Sequence, residues 1–372
     1  MEAPETLLRT VVGRFLIEAD FVSARPHGTG HINDTFAVTC DQGGRRIRYL
    51  LQRLNTRIFR EPRALMANVE AVTGHIRRKL EAKGLPCSRR VLTLVPAREG
   101  GAPFVDDPGL GFWRAYVFIE GARTYDVLES VAQAFQAARA FGAFQALLAD
   151  YDGPALTETI PAFHHTPGRF RRLQEAVARD PHGRAAACAP DLAFAMGRAP
   201  LAPVLTDLQA SGALPGRITH NDTKLNNVML DEETGEGVCV VDLDTVMPGL
   251  SLFDFGDMVR TACNPLAEDD PDVAGLEARE DMFMALAEGY LEGTGGALLP
   301  LERDLLVTSG QLLTYECGLR FLTDHLEGDT YFRIHRPGQN LDRARNQFAL
   351  LRSLERQEAG LRRRLALLPA MA

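Results

Sequence analysis

Between Ile218 and Asp244 the chain reads ITHNDTKLNNVMLDEETGEGVCVVDLD, and this stretch restricts the fold more than any other. His220, Asp222, Lys224 and Asn227 crowd one polar segment directly before an apolar run, and after the turn DEETGEG a second apolar run, Val238 to Val241, closes on Asp242. Such short apolar runs bounded by turn residues read as strands. They interrupt a region that is otherwise helical from Thr124 onward, as in DVLESVAQAFQAARAFGAFQALLADY. The fold must therefore set a small β insertion into a large helical body.

Upstream the pattern differs. Phe36 and Val38 alternate with polar residues and Tyr49 to Leu51 follow across Gly43 and Gly44, which predicts a hairpin. The segment EPRALMANVEAVTGHIRRKLEAKG places Leu65, Val69, Val72 and Ile76 at helical spacing, with Pro62 early and Gly84 as a stop. SRRVLTLVPA, APFVDDPG and GFWRAYVFIEGA read as three more strands. A chain of 372 residues, 45% hydrophobic, is too long for one ordinary domain. These patterns predict an α+β, two-lobed protein: a small mixed lobe over 1–120 and a larger, mainly helical lobe over 121–372.

The net charge of −8 argues against nucleic acid or an anionic membrane as partner. No uninterrupted apolar run opens the chain, so neither a signal peptide nor a membrane span is expected. Six cysteines scattered without C-x-x-C pairs fit packed, reduced thiols, and with them a cytoplasmic location. The arginine-rich tail from Leu341 to Leu368 repeats leucine at helical spacing, which predicts an amphipathic terminal helix packed on the body.

The polar segment suits phosphoryl transfer. A hydroxyl attacking a nucleotide phosphate needs a carboxylate to take its proton, while a carboxamide and a second carboxylate hold magnesium against the phosphates. His220-x-Asp222-x-x-x-x-Asn227 has the spacing of a kinase catalytic loop, with Asp222 as base and Asn227 and Asp242 on Mg2+ beside ATP. Turn and capping hydrogen bonds are the plainer reading of the same Asp and Asn. A literal Asp254-Phe255-Gly256 lies downstream, yet it falls beyond the strand that should carry the metal carboxylate. Asp254 and Asp257 are expected instead to cap a helix or brace the loop.

HNDTKLNNVMLD, VVDLDTVMPGLSLFDFGDMVRTA and ECGLRFLTDHLEGDTYF, together with GTGHINDTF and LLQRLNTRIF, resemble the N-acetylhexosamine 1-kinases, within the aminoglycoside phosphotransferase group of protein-kinase-like enzymes. The resemblance implies transfer of the terminal phosphate of ATP to the anomeric hydroxyl of GlcNAc or GalNAc. It also implies a sugar pocket with His31, Arg320 and Tyr331. Each has a bland reading too: His31 as a turn residue, Arg320 paired with Asp324 one helical turn on, Tyr331 as a core aromatic. For the nucleotide, Gly28 and Gly30 form a short glycine-containing loop, and Glu120 lies in VFIEG, a hinge that offers backbone groups. No V-A-I-K lysine is visible; Gln52 or Arg53 stands on the equivalent strand, only one of them facing the nucleotide. Asn68 or Glu70 would anchor the opposing helix. Two other readings are a kinase of the same fold for an aminoglycoside, choline-like alcohol or other sugar, and an inactive nucleotide-binding protein.

Overall fold

The computed structural model describes residues 4–28, 32–126 and 130–369. The elements run α1 (Glu5–Val12), β1 (Asp20–Pro26), β2 (Asp34–Gln42), β3 (Arg45–Arg53), α2 (Pro62–Ala82), β4 (Val105–Asp107), β5 (Gly111–Val117), β6 (Ala122–Arg123), α3 (Val131–Leu148), α4 (Thr166–Arg179), α5 (Ala189–Met196) and α6 (Val204–Ala210). There follow β7 (Arg217–Thr219), β8 (Val228–Asp231), β9 (Gly237–Val240), β10 (Met247–Gly249), α7 (Ser251–Ala262), α8 (Glu280–Thr294), α9 (Pro300–Asp304), α10 (Leu306–Leu326) and α11 (Gln339–Leu367). The α+β expectation holds, and the chain divides into two compact units.

The first unit comprises 1–122 with two later segments, 150–160 and 238–247. Its antiparallel sheet has the order β1-β2-β3-β5-β4. Gly43 and Gly44, both at positive φ, join β2 to β3 in the two-residue turn that matches strand twist. Phe36, Val38, Leu51 and Trp113 point from the sheet into a core closed by Leu8, Val11 and Phe15 of α1 and its exit. One strand expectation fails: 88–97 pairs only through single bridges, Leu94 to Tyr116 and Phe15 to Ala97. Pro96 has no N–H with which to extend a ladder there. Conversely β1 was not legible from its sequence; all seven of its residues stay at least partly exposed, so the apolar alternation is weak.

A single boundary near residue 120 also misses the two returning segments. Buried Asn68 on α2 is what fastens both of them: its amide accepts the N–H of Thr157 (2.9 Å) and donates to the carbonyls of Thr157 (2.7 Å) and Val246 (3.1 Å). A carboxamide is the side chain that can satisfy donors and acceptors at once.

The second unit holds 123–149, 161–237 and 248–372. Ser130 caps α3 by accepting the N–H of Gln133. Helix α10 is buried along nearly its whole length and packs on α4, α7 and α11. The terminal helix α11 behaves as its periodicity predicts, burying Leu350, Leu351, Leu354 and Leu361 while Arg352, Arg356 and Arg363 face solvent. All six cysteines are free, five of them buried and Cys87 half-buried. Among the described residues no helix is long and apolar enough to cross a membrane.

Candidate active site

Strand β7 delivers the chain to His220, and the segment up to Asn227 is held from below by α7. Asn221 takes the left-handed conformation, φ +65°, which Asn tolerates better than most residues. Its N–H donates to Asp254 Oδ1 (2.8 Å), that of His220 to Asp254 Oδ2 (3.0 Å), and the Thr223 hydroxyl to the Asp254 carbonyl (2.5 Å). Gln145 of α3 donates to Oδ2 as well, at 2.5 Å. Burial pushes the Asp254 carboxyl above the usual range against these opposing donors and the nearby His220.

Each residue of the Asp254-Phe255-Gly256 triplet has structural contacts of its own. Asp254 braces the loop, Phe255 is fully buried against Phe283 and Tyr290, and Gly256 lets α7 meet α10, since a Cβ there would lie 2.4 Å from the Ser309 carbonyl. Gly249 has a similar role that sequence reasoning passed over: a Cβ would come within 2.2 Å of Thr219 Oγ1 and 2.8 Å of Asn221 Oδ1.

Asp222 follows the turn with its carboxylate about a quarter exposed, 3.0 Å from Lys224 Nζ. Burial raises its pKa, but Lys224 first, then His220 and Arg260, outweigh this and hold the carboxyl below the ordinary range. It stays ionised at neutral pH, as a proton acceptor must. Asn227 donates its amide to the Asp222 carbonyl (2.8 Å) and to Oδ2 (3.2 Å). That orientation leaves Asn227 Oδ1 as the open acceptor, a hard oxygen of the kind Mg2+ prefers. Among the described residues no three His, Cys, Asp or Glu side chains group as a metal site.

A second feature of the same unit is a pocket lined by Arg169, Arg172, Arg320, Asp324, Tyr331 and Phe332. Arg320 does not pair with Asp324. Its guanidinium lies among the rings of Phe163 (5.4 Å), Phe332 (5.3 Å) and Tyr331 (6.0 Å). Asp324 is occupied by the N–H groups of Thr330, Tyr331 and Phe332 and by Asn340. Glu327, on the pocket rim, is held by Arg172 and Arg179. Arg169 donates to the Phe163 carbonyl while its Nε is buried without a partner. Burial, then the charge of Arg320, lowers the Arg169 pKa. The open polar groups here are cationic donors, and Tyr331, 63% exposed, stands at the mouth rather than in the core.

In the first unit Asp242 lies just after β9, exposed and at φ +56°. The turn behind it is pinned by an ion pair that sequence reasoning missed, Arg114 to Asp244, both buried. Asn33 donates to Asp244 Oδ2 at 2.7 Å. Burial pulls the Arg114 pKa down, and Asp244 reverses this to leave it well above normal. Gln52 on β3 donates to Thr35 (3.0 Å) and accepts from Arg114 (2.9 Å), so both ends of its amide are engaged. Arg53 is exposed and sits 5.9 Å over Trp113. The Glu120 carboxylate is bound by Arg48, which leaves only backbone groups for the hinge role. Gly28 takes φ +77° after β1; Gly30 and His31 lie outside the described residues.

Residues 23–297 match the Phosphotransferase enzyme family (APH). Among solved structures, an aminoglycoside phosphotransferase from Alicyclobacillus acidocaldarius is similar at 15% identity, covering 98% of both chains with a TM-score of 0.61. A spectinomycin phosphotransferase solved with ADP and spectinomycin is 12% identical over 95% of this chain and 99% of its own, TM-score 0.59. A choline kinase from Cryptosporidium parvum is 13% identical over 91% of each chain, TM-score 0.53. All three share the two-lobed kinase-like fold.

Proposed function

The chain belongs to the Phosphotransferase enzyme family, and from that premise we propose that it is an ATP-dependent kinase for the anomeric hydroxyl of an N-acetylhexosamine. The observation that carries the chemistry is the setting of Asp222: an ionised, partly exposed carboxylate held by Asn227 and flanked by Lys224. Asp222 takes the proton of the attacking hydroxyl. Lys224, about half exposed, offers its ammonium to the charge on the transferred phosphoryl group. Asn227 Oδ1 and Asp242 would hold Mg2+, which neutralises charge on the nucleotide phosphates.

For the acceptor, the pocket around Arg320 supports a neutral sugar. A cationic aminoglycoside or choline-like alcohol calls for open carboxylates, and Asp324 and Glu327 are both occupied. Arg320 instead offers donors to hydroxyl or acetamide oxygens, with Tyr331 and Phe332 as apolar walls. Phosphorylation of another small alcohol is the second reading, favoured by the fold shared with a spectinomycin phosphotransferase and a choline kinase.

The test is a panel of GlcNAc, GalNAc, other hexoses, aminoglycosides and choline with Mg-ATP, the products assigned by mass and NMR. Sugar 1-phosphate from the N-acetylhexosamines, and none from their methyl glycosides, is the expected result. Product from a methyl glycoside places the phosphate on another hydroxyl and removes the assignment. Asp222→Asn should lower turnover by about 10²–10⁴-fold, the usual cost of losing a general base.

A further inference from the structure

His164 lies outside every motif discussed so far and Glu316 opens the segment ECGLRFLTDHLEGDTYF without a role assigned to it, yet the two join the acceptor pocket to the catalytic loop within one unit. His164 Nδ1 is 2.8 Å from Glu316 Oε1, and its Nε2 is 2.9 Å from the carbonyl of Asn221. The Thr166 hydroxyl donates to the other Glu316 oxygen at 2.6 Å. Both side chains are buried, with Phe163 and Phe253 against the imidazole.

The proton inventory follows from the partners. A carbonyl only accepts, so Nε2 carries a hydrogen and donates it to Asn221. At the other end one proton is shared between Nδ1 and Glu316, and Asp257 adds a favourable field for a positive ring. The chain Thr166, Glu316, His164, Asn221 is thus complete, each member having its partner. A completed buried network of this kind holds one geometry and rejects others.

What it holds is the carbonyl of the one loop residue in the left-handed conformation, directly before Asp222. The peptide joining Asn221 to Asp222 is gripped on its oxygen by His164, while Asp254 takes the Asn221 N–H. With two constraints on either side of Asn221, the ψ angle that aims Asp222 is set. Glu316 also lies one turn of α10 from Arg320, about 6 Å along the axis.

We infer that His164, oriented by Glu316, is a positioning residue for the base: it fixes the Asn221 peptide so that Asp222 meets the acceptor hydroxyl held near Arg320. The inference rests on Asp222 being the base and holds for any hydroxyl acceptor. Misplacement of a reacting group by about 1 Å costs roughly 10²-fold in rate. His164→Ala and Glu316→Gln are to be assayed for transfer from Mg-ATP to GlcNAc and for hydrolysis of ATP by water, per folded molecule as measured by circular dichroism.

The expected result is a kcat lower by about 10²-fold in His164→Ala with KM for Mg-ATP within about twofold, and partial recovery on adding imidazole to fill the cavity. Glu316→Gln should show an intermediate loss. A purely structural role would lower the melting temperature and leave the rate per folded molecule unchanged, and that outcome overturns the inference; so does a loss that imidazole leaves untouched. Should His164→Ala not fold, Glu316→Gln and Thr166→Val decide by the same rate criterion. Asp222→Asn is run alongside: full activity there sinks the base assignment itself, a failure distinct from an unaltered His164→Ala.

Discussion

Replacing Asp254 separates a brace from a metal ligand. In Asp254→Ala the N–H groups of His220 and Asn221 and the amide of Gln145 lose their acceptor together. Each buried donor left unpaired costs about 1–3 kcal/mol, and water entering the vacated space offsets part, which places the total at about 3–5 kcal/mol. Asp254→Asn keeps one oxygen for Asn221 and lets Gln145 turn its own amide to accept, so only the His220 N–H is stranded, at about 1–3 kcal/mol. Urea denaturation followed by circular dichroism reads these losses, and a Mg2+ titration of ATP turnover is run in parallel. The expected order of stability is wild type, then Asn, then Ala, with the Mg2+ concentration for half-maximal turnover unchanged in Asp254→Asn. Asp242→Ala should do the reverse, losing Mg2+-supported turnover with little change in stability, because its side chain is exposed. If Asp254→Asn is as stable as wild type and needs about tenfold more Mg2+, the triplet is the metal site and the reasoning above is wrong.

Three further outcomes are expected. Gly249→Ala should cost about 1–3 kcal/mol by overpacking and lower turnover as well, since the new methyl group displaces Thr219 and Asn221; a crystal structure of the variant with an unmoved loop would contradict this. Arg320→Ala should raise KM for the sugar by an amount worth about 1–3 kcal/mol and leave KM for ATP alone, as steady-state kinetics in both substrates will tell. Because the Asp222 pKa is depressed, kcat should stay level through neutral pH and fall only when pH drops below the ordinary aspartate range; the stability contributed by its ion pair with Lys224 is present above that range and is lost in the same acid window. A pH–rate profile with its acid limb at pH 6 would assign the base to another group.

Much of this protein is written locally. The hairpin of β2 and β3, the long α2, the helical run from Ser130 and the terminal α11 each follow from periodicity and stop signals within about twenty residues. The loop from His220 to Asn227 is legible for the same reason, since Asp222 and Asn227 touch across five positions. The Asp-Phe-Gly triplet is set aside by its order along the chain, whereas the hydrogen bonds that Asp254 accepts from the N–H groups of His220 and Asn221 are visible only in the fold. What tertiary structure alone decided are pairings with no period to announce them. Arg114 meets Asp244 across 130 residues, His164 meets Glu316 across 152, and Asn68 reaches Val246 across 178. Burying a polar or charged side chain is tolerated only when its partner is in place, and only the folded chain brings that partner within hydrogen-bonding distance.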